Sequence, residues 1–386
     1  MIKISDSVKY IGVNDYDIDL FEGQYKLEKG MAYNSYVILD EKVVVMDTVD
    51  KIAVDRWQEY LSEALGDKKP DYLVVQHLEP DHSFGIQSIA DKYPEMKLVM
   101  SAVALRMLPQ FCDVDPSRVI TVKEGDTLEL GSHTLNFVMA PMVHWPEVMV
   151  SYESSEKILF SADAFGKFGT VDADEAWNCE ARRYYFNIVG KYGKPVQTLL
   201  GKAEKLDIQT ICPLHGPVLT DTVPEVVDLY KKWSAYEPEN EGVFIACASI
   251  HGNTWTAAQK LKEILEVKGC PRVAIADLTR DDLAEAVEDG FRHSVLVCMA
   301  SSYDAGVFTP MEDYLNRLEH KAFQNRTVAL VENASWAPSA IKAMKAHFEK
   351  MANITLVDKT VTIKTRLTDA YVSELEELAD EIIQKF

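Results

Sequence analysis

Seven side chains of metal-binding type occur in four places along this 386-residue chain, each at the end of an apolar stretch or in a short loop beside one. The densest place is the run His77-Leu78-Glu79-Pro80-Asp81-His82; the others hold His144, Asp163 and His215. A chain that uses them together must fold so that four loops meet. The run follows Tyr72-Leu73-Val74-Val75, which reads as a buried strand, so it lies at a strand's C-terminal edge, where loops carry chemistry. In a locally extended segment His77 and Glu79 point the same way. Pro80 disfavours helix at Glu79 and turns the chain, so Asp81 and His82 can face a second position. His144, in Met142-Val143-His144-Trp145-Pro146, and His215, in Cys212-Pro213-Leu214-His215-Gly216-Pro217, each lie just past an apolar run. Asp163 ends the expected strand Leu159-Phe160-Ser161-Ala162. Singly, each has an ordinary explanation: Asp81 as the cap of a helix starting near Ser83, His144 as a packed ring, Asp163 as a turn residue. Jointly, nitrogen and carboxylate donors in four loops point to a two-metal centre.

Composition narrows the setting. A formal charge of −21, from 40 basic and 61 acidic residues, disfavours nucleic acid or an anionic membrane as partner. No apolar run reaches the ~18 residues of a membrane span, and the start Met1-Ile2-Lys3-Ile4-Ser5-Asp6 lacks the apolar core of a signal peptide. The cysteines at 112, 179, 212, 247, 270 and 298 lie far apart without a C-x-x-C, which excludes a disulfide framework and a rubredoxin-type iron site. A cytoplasmic, reducing location is expected.

The chain has two halves. In the first, Tyr36–Leu39 and Val43–Met46 read as a hairpin, with further short strands at 72–75, 97–100, 119–122 and 135–139. Helices are expected at about 52–65, 83–93, 102–111, 179–190 and 194–204, giving a layered α/β sandwich over 1–235. The polar stretch 234–242, with Pro238 and Gly242, reads as a linker. Beyond it, strands at 243–248, 272–276, 294–299, 326–331 and 359–364 alternate with helices at 255–268, 281–288, 309–320, 338–351 and 368–384. Over 242–386 this predicts a doubly wound, five-stranded parallel sheet.

Three loops of the second half lie at strand ends. Ser249-Ile250-His251-Gly252-Asn253-Thr254 combines hydroxyls, a flexible Gly and a helix N-terminus, an anion cradle that is neither a Walker loop nor G-x-G-x-x-G. It resembles the flavodoxin phosphate loop, which favours FMN over a dinucleotide. In the flavodoxin order the loops Ser301-Ser302-Tyr303-Asp304-Ala305-Gly306 and Asn333-Ala334-Ser335-Trp336 flank the flavin ring, with Tyr303 and Trp336 able to stack on it.

The metal residues carry a further resemblance. The pattern H-x-[EH]-x-D-H with a later His, Asp and His is the ligand set of the metallo-β-lactamase fold, whose zinc hydrolases usually carry His where this chain has Glu79. Flavodiiron proteins (A-type flavoproteins) carry H-x-E-x-D-H, and the likeness extends to H-W-P at 144–146, D-A-F-G at 163–166 and L-H-G-P at 214–217. Carboxylate in place of imidazole adds charge and a harder donor, which shifts preference from zinc toward iron or manganese. The resemblance covers essentially the whole chain. It implies a metallo-β-lactamase-like αββα domain at 1–235 and a flavodoxin-like domain at 242–386. It implies one iron on His77, Glu79 and His144, another on Asp81, His82 and His215, and Asp163 bridging; in some members the counterpart of His82 stays uncoordinated. FMN would pass electrons from a reduced carrier, usually a rubredoxin, to the irons, which reduce oxygen to water or nitric oxide to nitrous oxide. A head-to-tail homodimer or dimer of dimers would bring flavin and irons of different subunits together.

The chain also departs from the family. The interval from Asp163 to His215 is shortened, with the deletion expected in 168–180. That region carries a tyrosine beside the irons in some members, for which Tyr185 is a candidate, with helix packing as its alternative role. The loop S-S-Y-D-A-G stands where members often have P-T-Y-N-G-G. Two other readings remain: a binuclear zinc hydrolase with an attached flavodoxin-like module, and a flavodoxin-type carrier whose metal domain is structural.

Overall fold

The structure, a computed structural model, describes residues 3–386; Met1 and Ile2, part of the start at which no signal peptide was expected, lie outside it. The chain forms two compact units. One comprises the chain to Tyr185 with Lys194–Lys231, the other Phe186–Gly193 with Lys232–Phe386.

The first unit is built on two sheets. One has the strand order Val8–Tyr10, Tyr36–Leu39, Val43–Met46, Tyr72–Val74, Lys97–Ser101, Val119–Val122. The other runs Thr127–Glu129, Thr134–Met139, Met149–Glu153, Ile158–Phe160, Thr210–Cys212. Alternating residues explain how they pack. Tyr36 and Ile38, Val44 and Met46 from the first sheet share one core cluster with Leu135 and Phe137, Ile158 and Phe160 from the second. The intervening Val37, Val45 and Leu73 are also fully buried, as a sheet with both faces covered requires. The helix Val54–Leu65 buries Trp57, Leu61, Ala64 and Leu65.

The expected helix at 83–93 is two pieces, Pro80–Ser83 and Ile86–Lys92, broken at Gly85. The helix expected over 179–190 is α-helical only for Trp177–Tyr184 and continues as a π turn over Tyr185–Val189. The helix Val223–Ser234 has no counterpart in the sequence reading. Its Pro224 near the start and its buried Val223, Val226, Tyr230 and Trp233 at helical spacing were the available signal. The polar stretch read as a linker is largely structured: Ser234 ends that helix, Tyr236 is buried, and Asn240 already pairs with His293.

The second unit carries a parallel sheet in the order Val273–Asp277, Asn240–Ala248, His293–Tyr303, Arg326–Asn333, Ile354–Ile363. This is the flavodoxin order 2-1-3-4-5. A short strand, Gly306–Val307, adds antiparallel to the end of His293–Tyr303. The buried Arg326 anchors the sheet's other end: its guanidinium donates to the carbonyls of Phe291, His293, Tyr236, Gln324 and Asn325.

At the edge of the first unit opposite the predicted metal loops, three turns meet on His133. Its Nδ1 lies 2.7 Å from Asp40 Oδ2 and its Nε2 3.0 Å from Glu156 Oε1, with Glu153 adding negative charge. Burial pushes the imidazole pKa down, but Glu156 and Asp40 more than offset this and raise it above the ordinary 6.5. Protonated His133 therefore contributes stability in full below pH 6.5, and that contribution is lost as pH rises through the raised value. The melting temperature of this unit should fall across that alkaline window, and His133→Gln should remove that component. Superimposable pH profiles for the two proteins would contradict the clamp.

Candidate metal centre and flavin cavity

The strand directions bring the predicted metal loops to one edge within each sheet. Tyr72–Val74 runs parallel to Val43–Met46, so residues 76–82 emerge beside Asp47. Ile158–Phe160 runs parallel to Thr210–Cys212, and Thr134–Met139 points the same way, being antiparallel to Met149–Glu153. Asp163, His215 and His144 follow the ends of these strands.

The seven side chains gather into two groups, His77 with Glu79, His144 and Asp163, and Asp81 with His82 and His215. Within each group the donor atoms lie within 4.8 Å of one another. Asp163 belongs to both. Its Oδ2 lies 3.2 Å from His77 Nε2 and 3.1 Å from His144 Nε2. Its Oδ1 lies 3.3 Å from His82 Nε2 and 3.7 Å from His215 Nε2. Glu79 Oε2 closes the first group at 3.2 Å from His77 and 3.0 Å from His144. Asp81 Oδ2 closes the second at 3.4 Å from His82 and 3.3 Å from His215. Asp81 does not cap a helix: it lies inside Pro80–Ser83, and the following helix begins at Ile86 after Gly85.

The electrostatics are those of a cation site. Asp163 and Asp81 are buried, and none of their four carboxylate oxygens makes a hydrogen bond of normal geometry. Buried carboxylates without partners are costly, so the arrangement requires positive charge. Without a metal, protons on the imidazoles supply it. Burial lowers the pKa of His144, but Asp163 and Glu79 raise it to about 9. Burial raises that of Glu79, but His144 and His77 hold it to about 2. Asp163 is likewise driven well below the ordinary range by the histidines, against its burial. A metal ion would displace these protons. The donor set, three carboxylates and four imidazoles converging in two groups, fits a pair of divalent ions.

A second layer of residues, absent from the sequence reading, holds the donors. Buried Glu147 accepts from His77 Nδ1 at 2.8 Å and from the Leu78 N–H at 3.0 Å. This fixes the tautomer, so His77 turns Nε2 inward. A carboxylate directly after H-W-P was the signal for it. Asp47 accepts from the Gln76 backbone and side chain at 2.7 and 2.9 Å, while Thr48 Oγ1 donates to the His82 carbonyl at 2.7 Å. His215 Nδ1 lies 2.8 Å from the Ala32 carbonyl. The loops are also strained: Asp47, Met142, Ala162 and Phe165 take φ values of 54°, 67°, 50° and 66°. Such conformations cost ~1–3 kcal/mol each and persist only where surroundings impose them. Around the donors stand aromatic walls, with ring centres 5.5 Å (Phe21) and 5.6 Å (Tyr184) from His215 and 5.2 Å (Trp145) from His77. Tyr185 packs on Tyr230 instead, and the tyrosines beside His215 are Tyr184 and, at 6.2 Å, Tyr33.

In the second unit the three predicted loops meet around one cavity of 810 Å³, within the size range of cofactor sites. Ser249, His251, Asn253, Thr254, Ser301, Ser302, Tyr303, Asp304, Asn333, Ala334, Ser335 and Trp336 line it. Gly252 and Gly306 do not. Gly252, at φ 87°, precedes the helix Asn253–Val267 and donates its N–H to Ser249 Oγ. Gly306 pairs with Tyr303 in the short antiparallel strand. Trp336 is 82% exposed and Tyr303 47% exposed, both at the cavity, as ring-stacking positions would be. Two lining residues have other tasks. Asn333 is doubly bonded to the Thr365 backbone at 2.8 and 3.0 Å, and Ser302 Oγ caps the helix Ala340–Phe348 through the N–H groups of Ser339 and Ala340. Ile250, Lys342 and Thr365 join the lining and were not predicted. Lys342 and Thr365 come from a helix and a loop beyond the three motifs.

The departure from N-G-G has a structural consequence. Asp304 and Ala305 form the two-residue connection between Tyr303 and Gly306, with φ 47° and 58°. Both positions favour Asn or Gly, and Ala in this region costs ~1–2 kcal/mol. Ala305→Gly should raise the unit's stability by up to about 1 kcal/mol after the entropy cost of glycine, as read by denaturant unfolding. A clear loss of stability would contradict the strained turn.

Comparison with known proteins adds independent findings. Residues 31–216 match the family described as ODP family beta lactamase. The anaerobic nitric oxide reductase flavorubredoxin of Citrobacter koseri is 26% identical over 361 residues, covering 90% of this chain and 74% of that protein. The solved rubredoxin oxygen:oxidoreductase of Desulfovibrio gigas superposes with a TM-score of 0.92 at 25% identity, covering 100% of this chain and 98% of that one. The flavodiiron protein of Giardia intestinalis shares the fold, with a TM-score of 0.91 at 22% identity over 99% and 96% of the two chains. Along its whole length this chain is similar to the flavodiiron proteins and shares their fold.

Proposed function

We propose that this chain is an oxidoreductase that takes electrons from a reduced carrier, through FMN in the 810 Å³ cavity, to two irons, and reduces oxygen to water, nitric oxide to nitrous oxide, or both. One iron would be held by His77, Glu79 and His144 and the other by Asp81, His82 and His215, with Asp163 shared. The observation that carries this reading is the division of Asp163, whose two oxygens face different donor groups. The 3.0 Å between Nε2 of His82 and Nε2 of His215, the spacing of two donors to one ion, supports His82 as a ligand. Irons in these positions supply one-electron chemistry to a small bound oxidant, and FMN supplies the matching electron store.

The chain's own residues orient and enclose. Glu147 and the Ala32 carbonyl lock His77 and His215 in the tautomers that present Nε2. Phe21, Tyr184 and Trp145 wall the site and restrict water. The names of the relatives, one an anaerobic nitric oxide reductase and one a rubredoxin oxygen:oxidoreductase, support both oxidants and a rubredoxin-like donor. Among the described residues no helix is long and apolar enough to cross a membrane, which agrees with a cytoplasmic enzyme. A head-to-tail homodimer or dimer of dimers is part of the proposal.

The test is parallel oxygen and nitric oxide consumption by reduced, anaerobically prepared protein, with metal analysis. Iron at both sites and turnover of at least one gas are expected; zinc at both sites without iron would reject the redox reading. Asp163→Asn should lose metal occupancy and gas consumption while FMN binding persists. Full activity in that variant would refute the shared role. Trp336→Ala should disturb flavin binding and leave iron content unchanged; an altered iron content would tie Trp336 to the wrong site.

A further inference from the structure

Asn34 follows the strand Met31–Tyr33 and is fully buried. Every polar group of this residue that points toward the Pro213–Gly216 loop is engaged. Its backbone N–H donates to the Leu214 carbonyl at 2.8 Å. Its Nδ2 donates to the carbonyls of Pro213 and Gly216, each at 2.8 Å. Its Oδ1 accepts the Tyr10 hydroxyl at 2.8 Å. Only the NH₂ end of an amide can donate to two carbonyls, so this network fixes the amide's orientation. Tyr36 adds a hydroxyl to the Pro213 carbonyl at 2.6 Å. Three carbonyls of one short loop therefore converge on Asn34, and the residue they enclose is His215.

The ring of His215 is set by the same segment. Its Nδ1 meets the carbonyl of Ala32, two residues before Asn34, and its Nε2 then faces Asp81 Oδ2 at 3.3 Å and His82 Nε2 at 3.0 Å. In the other donor group His77 is supported elsewhere, through Glu147. We propose that Asn34 is a positioning residue for one metal position only, that of Asp81, His82 and His215. It holds the Pro213–Gly216 backbone so that the His215 imidazole reaches its place. The inference rests on the two-metal reading above.

Buried carbonyls need donors. Asn34→Leu keeps a branched side chain of similar size and removes both. In the full-length, FMN-loaded chain titrated with ferrous iron under anaerobic conditions, the wild type should take up two ions. Asn34→Leu should keep FMN and one tightly bound ion, and weaken the other by about tenfold or more, the usual effect of losing an outer partner of a ligand. A merely structural role would weaken both ions together or neither. Tyr10→Phe, which frees only the Asn34 amide oxygen, should weaken the same ion by a smaller factor. It decides the question if Asn34→Leu does not fold. Equal retention of both ions, or equal loss of both, in whichever variant folds would overturn the role of Asn34. A wild-type chain that takes up fewer than two ions would instead count against the two-metal reading.

Discussion

The carboxylate of Asp163 is the interaction on which the first unit is organised. It is fully buried, has no hydrogen bond of normal geometry to either oxygen, and has four imidazole nitrogens within 3.7 Å. A buried ion of this kind is tolerated only if opposite charge is delivered to it at close range. Delivery comes from three loops, carrying His77 with His82, His144 and His215, that leave the ends of strands in two sheets. The sandwich, the register of its strands and the length of each loop can thus be read as the means of surrounding one carboxylate.

That arrangement explains why so much of the surrounding backbone is held in uncommon conformations. Asp47, Met142, Ala162 and Phe165 all sit at positive φ next to the donor loops. Two of them are held by side-chain hydrogen bonds, Asp47 accepting from Gln76 and the Phe165 N–H donating to the Tyr230 hydroxyl. Stability given up locally is offset by the two-sheet core, whose Tyr36, Phe137 and Phe160 are almost wholly buried. The flavin cavity is made differently. Its walls are strand-end loops fastened by side-chain bonds such as Asn333 to Thr365 and Ser302 to the Ala340 helix, while Trp336 and Tyr303 are left exposed.

Much of this was legible in the sequence because the chemistry is local. H-L-E-P-D-H places four donors in six residues, and a proline dictates where the chain turns. The strict alternation after residue 242 dictates a parallel sheet. What was not legible depends on contacts between distant segments. Glu147 and Asp47 act on His77 and Gln76 only after strands far apart in sequence are paired. Lys342 and Thr365 reach the cavity from outside its motifs. Tyr184, not Tyr185, packs on His215, and the α-helix gives way to a π turn at Tyr185, a change that a simple 3.6-residue period does not encode. The helix Val223–Ser234 is a different case, since its periodicity is present in the sequence itself.

The central claim is that one buried carboxylate joins two redox-active ions into a single unit. Low-temperature EPR and Mössbauer spectroscopy of the iron-loaded, one-electron-reduced protein test it most directly. A bridged pair gives an exchange-coupled mixed-valence signal from two inequivalent irons, and that is the result predicted here. Two magnetically isolated ions, or a site that accepts only zinc, would contradict it.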